Sequence, residues 1–361
     1  MRTIKSSGSG LRIAQVAPLY EAVPPRLYGG TERMVSYLTE ELVRQGHDVT
    51  LFASADSRTT ARLSPCCRQA TRLDSTVRDP IIHHLLMLEH VRQQRDAFDL
   101  IHFHTDYLHM PLFRDCAGRT VTTLHGRLDL PDLQPFYREF DDIPLVSISD
   151  HQRAPMPPVR WLRTVHHGIP ADLLRPRFAP GGYLAFLGRI AAEKQPDHAI
   201  EIAKRAGLPL KIAAKVDKAD NQYFRDTIEP LLDHLLVDFI GEIGEDQKSD
   251  FLGNAAALLF PIDWPEPFGL VMIEAMAAGT PVIAYPRGSV PEVIEDGVTG
   301  FIADGIDAAV DAVRRLGEID RRGVRHRFET RFTAARMATD YLTLYRHLLD
   351  GHDSLVEVDA A

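Results

Sequence analysis

The sequence predicts an α/β fold of two doubly wound domains built on parallel sheets. Three observations carry this reading. Apolar strand-like runs alternate with helical patterns from end to end. The 361 residues suffice for two domains, each with its own core. A proline-rich stretch over 151–180, with Pro155, Pro157, Pro158, Pro170, Pro176 and Pro180, interrupts the alternation midway and is the best linker candidate.

The first strand-like run is 12–17. A loop ending in Tyr28-Gly29-Gly30-Thr31-Glu32 leads to a helix over about 31–45, where Met34, Val35, Leu38, Leu42 and Val43 share one face. Gly46 closes that helix, and 49–52 is the next strand. A helix over 80–95 leads to strand 100–103. Strand 120–124 ends at His125-Gly126, and strand 145–148 ends at Ser149. Beyond the prolines come strand 183–187, helix 197–206, strands 209–214 and 237–240, helix 246–254 and strand 257–260. A glutamate-bearing helix opening at Pro267, strand 281–284, a helix over about 307–318 and an amphipathic helix over about 333–349 complete the chain. The expected division is therefore 1–170 and 171–332, followed by the 333–350 helix and a frayed 351–361 tail.

Composition narrows the function classes. Hydrophobic residues at 45% and charged residues at 25% belong to a soluble globular protein, and no apolar run approaches a membrane span. Arg2, Lys5 and Arg12 are followed by small polar residues, so the N-terminus does not read as a signal peptide and 5–10 reads as a flexible tail. Cys66, Cys67 and Cys116 form no metal-ligand spacing, and adjacent cysteines are poor disulfide partners, so a reducing cytoplasm is expected. The net charge of −9 is unevenly placed: residues 1–170 hold 20 Lys/Arg against 19 Asp/Glu, and the remainder 21 against 31. This speaks against bulk nucleic-acid binding, and without a strong polybasic patch membrane association is not indicated. The oligomeric state is not legible.

The segment Glu266-Pro267-Phe268-Gly269-Leu270-Val271-Met272-Ile273-Glu274 is the most informative. Pro267 suits the first turn of a helix, where its missing N–H has no partner to lose. Gly269 allows a ligand close to the backbone, and Gly279 reads as the C-terminal stop. Two glutamates eight positions apart would stand roughly 12 Å apart on a continuous helix, beyond the ~5 to ~9.5 Å that paired glycosidase carboxylates need. They suit the two ends of a long ligand, with free helix N–H groups favouring negative charge between them. The plain alternative is one glutamate serving the helix start and the other solvated at the surface.

Other candidates gather at predicted strand ends, where open α/β sheets bind ligands. Gly188-Arg189-Ile190-Ala191-Ala192-Glu193-Lys194 would place two cations beside a diphosphate, or form a surface loop with local ion pairs. His125 is positioned to hydrogen-bond a sugar or accept a proton, or is simply structural. His102 and His104 share a strand face and, with His109, suggest a metal, but no carboxylate or Cys completes a known ligand pattern and no metal is expected. No Gly-x-Gly-x-x-Gly follows the first strand, which weakens a hydride-transfer reading.

In this order, these motifs closely resemble glycosyltransferase family 4, retaining enzymes of the GT-B fold, over nearly the whole chain. Pro281-Val282-Ile283-Ala284 and Glu292-Val293-Ile294-Glu295-Asp296-Gly297, with Gly300-Phe301, extend the match. The resemblance implies two Rossmann-like domains facing across a cleft, the first on the acceptor side, the second binding a nucleotide-sugar donor, with the last helix crossing back to the first. It implies that Arg189 and Lys194 bind the donor diphosphate and that Glu274 holds the ribose. Glu266 would lie near the donor sugar, with the backbone of Phe268, Gly269 and Leu270 contacting sugar or phosphate. His125 would lie near the anomeric carbon. Gly29 and Gly30 would give room beside phosphate and acceptor, and the strand end at Phe239-Ile240-Gly241 would help form the base pocket. One departure stands out. Ala213-Ala214-Lys215-Val216-Asp217 replaces a glycine-rich turn common in relatives, and Lys215 there offers a further phosphate or base contact. The implied activity is metal-independent, retaining hexosyl transfer to an acceptor hydroxyl, with no cofactor and with a UDP-sugar weakly favoured. The alternatives are a nucleotide-sugar epimerase of similar fold and a non-catalytic nucleotide-sugar-binding protein.

Overall fold

The computed structural model describes residues 10–26 and 29–351. Residues 5–9 of the expected N-terminal tail, Tyr28 of the glycine loop and the tail beyond Gly351 lie outside the described residues. The chain divides into two compact units. Unit 1 takes the chain up to Ile148, Arg153–Gly168 and the C-terminal segment from Ala334; unit 2 takes Ser149–Gln152 and Ile169–Thr333.

In unit 1, β1 (Arg12–Val16), β2 (Asp48–Ser54), β3 (Arg62–Cys67), β4 (Leu100–Phe103), β5 (Thr120–Thr123), β6 (Leu145–Ser147) and β7 (Trp161–Thr164) form one sheet in the order β3-β2-β1-β4-β5-β6-β7. Every neighbouring pair is parallel. Ile13, Ala14 and Val16 are fully buried, as expected for a central parallel strand covered on both faces. Strand order reverses at β1, so the carboxyl ends of β1 and β4 flank the switch point. The last helix, Ala334–Leu349, packs Met337, Ala338, Tyr341, Leu342, Leu344, Tyr345 and Leu348 against Ile13, Leu100, Val121 and Val146 of this sheet. At roughly 1.5–3 kcal/mol for each large apolar side chain fully buried, that helix is a main contributor to the unit's core.

In unit 2, β8 (Tyr183–Ile190), β9 (Leu210–Val216), β10 (Val237–Gly241), β11 (Ala255–Phe260), β12 (Val282–Ala284) and β13 (Gly300–Ile302) form a second parallel sheet. Its order is β10-β9-β8-β11-β12-β13, with the switch between β8 and β11. Among the described residues no helix is long and apolar enough to cross a membrane.

Several local expectations are corrected. The helix bearing Glu274 is Leu270–Ala277, so Pro267 lies outside it; Gly269, at φ 77°, turns the chain into the helix instead. The proline-rich stretch is not one linker, because it contains β7, which pairs with β6. The helix expected over 307–318 stops at Arg314 and gives way to a 3₁₀ turn, Leu316–Glu318. Helix Arg321–Arg331 was not expected. Asp320 caps it by accepting from the Arg322 and Gly323 N–H groups, and the Arg321 guanidinium is buried on the carbonyls of Arg177, Gly253 and Ala255.

Candidate active site

In unit 2 the site is built where β8 and β11 end. After β8 the chain makes a short turn, Ala192–Lys194, passes through Gln195 at φ 47°, and enters helix Pro196–Ala206 with proline in its first turn. That turn aims Lys194 at the loop following β11. Lys194 Nζ donates to Glu266 Oε2 and lies 4.9 Å from the centre of the Trp264 ring. Trp264 Nε1 donates to the same carboxylate oxygen at 3.0 Å. The side chains of Lys194 and Glu266 are only 18% and 13% exposed, so the couple is held in a mostly dry setting.

Arg189, near the end of β8, donates to Asp220 and to Glu193 at 2.5 Å each. Lys215 is its register partner on β9 and pairs with Asp217 at 2.9 Å. Both cations therefore already have carboxylate partners, and a phosphate would exchange with these.

The Glu266 loop is braced from β12. The Ser289 N–H donates to the Glu266 carbonyl at 3.0 Å, and Ser289 Oγ donates to the Phe268 carbonyl at 2.8 Å. Gly288, at φ 57°, makes this possible: a Cβ there would lie 2.3 Å from the Glu266 carbonyl oxygen. Phe268 is buried against Phe332. Glu274, 5% exposed, accepts from Lys248 Nζ at 2.7 Å, and Lys248 also lies 3.4 Å from Glu245. Ile240 is exposed at the end of β10, the edge strand of this sheet.

In unit 1, Gly29 is the residue before helix Gly30–Arg44; a Cβ on it would meet Pro25 at 2.8 Å. His125 follows β5. Its Nε2 lies 2.8 Å from His104 Nδ1, and its ring stacks on His167 with centroids 5.3 Å apart. Burial pushes His125 down to about 3, and His104 and His167 well below the ordinary histidine value, so all three are neutral at pH 7. Burial also pushes the nearby Asp106 carboxyl up to about 6, and this residue adopts the left-handed region at φ 51°. His102 is hydrogen-bonded to Tyr345 Oη and Thr123 Oγ1. His109 Nε2 is bonded to Thr122 Oγ1. Among the described residues no group of three His, Cys, Asp or Glu is placed to hold a metal ion.

Within unit 2, then, Lys194 meets Glu266 directly and Arg189 stands beside Lys215, while Glu274 has a separate cation. Trp264, Lys248, Gly288 and Ser289 are the neighbours that the sequence reading did not single out. Lys248 is on helix Glu245–Gly253, remote in sequence from the residue it grips. The Gly288-Ser289 pair after a strand was the available signal for the brace.

The chain thus folds as two doubly wound parallel-sheet units, one with a strand-end histidine and the other with cation–carboxylate couples around a two-glutamate segment. Family profiles agree over most of the chain. One described as "Glycosyltransferase Family 4" matches residues 28–155, and one described as "Glycosyl transferases group 1" matches 178–331. The chain belongs to these family 4, group 1 glycosyltransferases.

Among relatives, D-inositol 3-phosphate glycosyltransferase of Streptomyces scabiei is 35% identical over 163 residues, covering 42% of this chain and 34% of that protein. The same-named protein of Streptomyces griseus is 28% identical over 233 residues, covering 57% and 42%. The matched stretches thus span less than half the length of these relatives. AviGT4, a glycosyltransferase of avilamycin A biosynthesis, aligns with a TM-score of 0.72 at 23% identity, over 94% of this chain and 98% of its own. Anabaena HepE, solved with UDP and glucose, aligns with a TM-score of 0.69 at 16% identity, over 92% and 98%. These structural likenesses establish the fold.

Proposed function

We propose that the protein transfers a hexosyl group from a nucleotide diphosphate sugar to an acceptor hydroxyl, with retention and without a metal ion. The observation that carries this reading is the Lys194–Glu266–Trp264 cluster beside Arg189 at the carboxyl end of β8. A departing diphosphate gains negative charge. Arg189, Lys194 and the first N–H groups of helix Leu270–Ala277 are the groups to offset it, in the role a metal ion plays elsewhere. Glu193, Asp220 and Glu266 pre-order these cations, so less side-chain freedom is lost when phosphate arrives. Glu274 binds the ribose hydroxyls, and His125 meets the sugar near its anomeric carbon. The near-neutral charge of residues 1–170 favours a soluble hydroxyl compound as acceptor over an anionic lipid surface. Because relatives carry the name D-inositol 3-phosphate glycosyltransferase and HepE holds UDP, UDP-sugars and inositol phosphates head the panel to try.

A thermal-shift panel of nucleotide sugars should identify the donor. With it, Arg189→Ala and Lys194→Ala should each slow transfer by about 10²–10³-fold; wild-type rates in both would remove these residues from the site. Full activity in a chelator is expected, and loss restored by a divalent ion would overturn the metal-free mechanism.

A further inference from the structure

We infer that Gln15 and Tyr345 are positioning residues, which set the tautomer of His125 through a chain of hydrogen bonds that starts on the C-terminal helix. The inference rests on the proposed role of His125 in transfer.

The chain is continuous. Tyr341 Oη lies 2.8 Å from Thr123 Oγ1, and Thr123 Oγ1 lies 2.8 Å from His102 Nε2. His102 Nδ1 is 2.7 Å from Tyr345 Oη, to which Gln15 Nε2 donates at 3.3 Å. Gln15 Oε1 is 2.8 Å from His104 Nε2, and His104 Nδ1 is 2.8 Å from His125 Nε2. Gln15, His102, His104, Thr123, Tyr341 and Tyr345 are all buried.

Proton counting gives the chain a direction. A carboxamide donates only from nitrogen and accepts only at oxygen. With its nitrogen given to Tyr345, Gln15 can only accept from His104, so His104 Nε2 carries the proton. A neutral imidazole has one such proton, so His104 Nδ1 accepts and His125 Nε2 donates to it. His125 Nδ1 is then bare. This atom is buried and has no hydrogen-bond partner among the described residues. A buried acceptor of that kind is costly unless something donates to it. A sugar hydroxyl is the chemistry that fits, since it supplies O–H. In the opposite tautomer His125 would present N–H, and the same hydroxyl would have to turn and accept, so the tautomer sets which way the sugar hydroxyl points.

The arrangement gives the returning helix a part in the site. Tyr345 anchors the Gln15 amide by accepting from its nitrogen, and the amide so held passes its orientation to the two imidazoles beyond it. Neither residue needs to touch the substrate.

Imidazole nitrogen NMR on ¹⁵N-histidine-labelled protein reads the tautomer directly. The wild type should show His125 protonated on Nε2 alone. A wild-type His125 protonated on Nδ1 would overturn the inference without any variant. Gln15→Met and Tyr345→Phe should give mixed His125 tautomers. They should lower kcat about tenfold, the worth of one lost hydrogen bond, while donor KM stays within about twofold. A single unchanged tautomer in folded Gln15→Met would sink the relay. Mixed tautomers with undiminished turnover would leave the relay standing and instead remove His125 from the proposed reaction.

Discussion

Mild acid should loosen unit 1 well before it titrates ordinary carboxylates. His102, His104 and His167 are 0%, 3% and 4% exposed, and burial holds each well below its ordinary value; His125 is pushed down to about 3. In the unfolded chain each titrates near 6.5. The folded state therefore binds fewer protons than the unfolded state between those values. Its stability is complete above about pH 6.5 and falls as pH drops through that point. Taking the protein from pH 7.5 to 5.5 costs about 1 kcal/mol per histidine, or roughly 4–5 kcal/mol for the four. His47 and His84, also lowered by burial, act in the same direction. Asp106, pushed up to about 6, acts oppositely, because its folded form gains a proton as pH falls, and it offsets a minor part of the histidine loss. The net loss is a large part of the 5–15 kcal/mol typical of a domain. For a unit of this size the melting temperature should fall by roughly 8–16 °C. Scanning calorimetry at constant ionic strength measures this directly. A unit 1 transition within about 2 °C at the two pH values would refute the claim that these rings are neutral because they are buried.

Three further outcomes follow from particular contacts. Lys248→Met leaves the Glu274 carboxylate, 5% exposed, without its 2.7 Å partner; unit 2 should lose about 3 kcal/mol in a urea titration, and calorimetry should show weaker nucleotide binding. Gly288→Ala forces a Cβ into the Glu266 carbonyl at a left-handed position, so transfer should fall more than nucleotide affinity; unchanged turnover would show that the brace is dispensable. A chain ending at Thr333 lacks the helix that covers the first sheet and should lose the unit 1 transition in calorimetry while keeping that of unit 2.

The strands that escaped the sequence share a place. β3, β7 and β13 are all outermost strands of their sheets. β3 and β7 are only partly buried and are not apolar runs, and an edge tolerates proline, as Pro65 in β3 shows, while β13 is buried but only three residues long and opens on a glycine. Central strands such as β1 and β11 are buried on both faces and announce themselves. Helix Arg321–Arg331 was hidden because only Val324 and Phe328 supply its apolar face and its buried arginine reads as surface. Pro267 was a fair helix-start signal, but Gly269 turned the chain two residues later.

From the residues alone came the alternation of strand and helix, the two-sheet architecture, the positions of Arg189, Lys194, Glu266 and His125 at strand or helix ends, and that of Glu274 within a helix. Those are local matters, decided by periodicity and by which residues tolerate a turn. Folding decided which side chains meet: Lys194 with Glu266, Lys248 with Glu274, and Tyr345 with Gln15 across 330 positions of chain. Such pairs are selected by burial, since an unpaired polar group in a dry interior is costly, and burial is a property of the packed sheet and helices rather than of any segment.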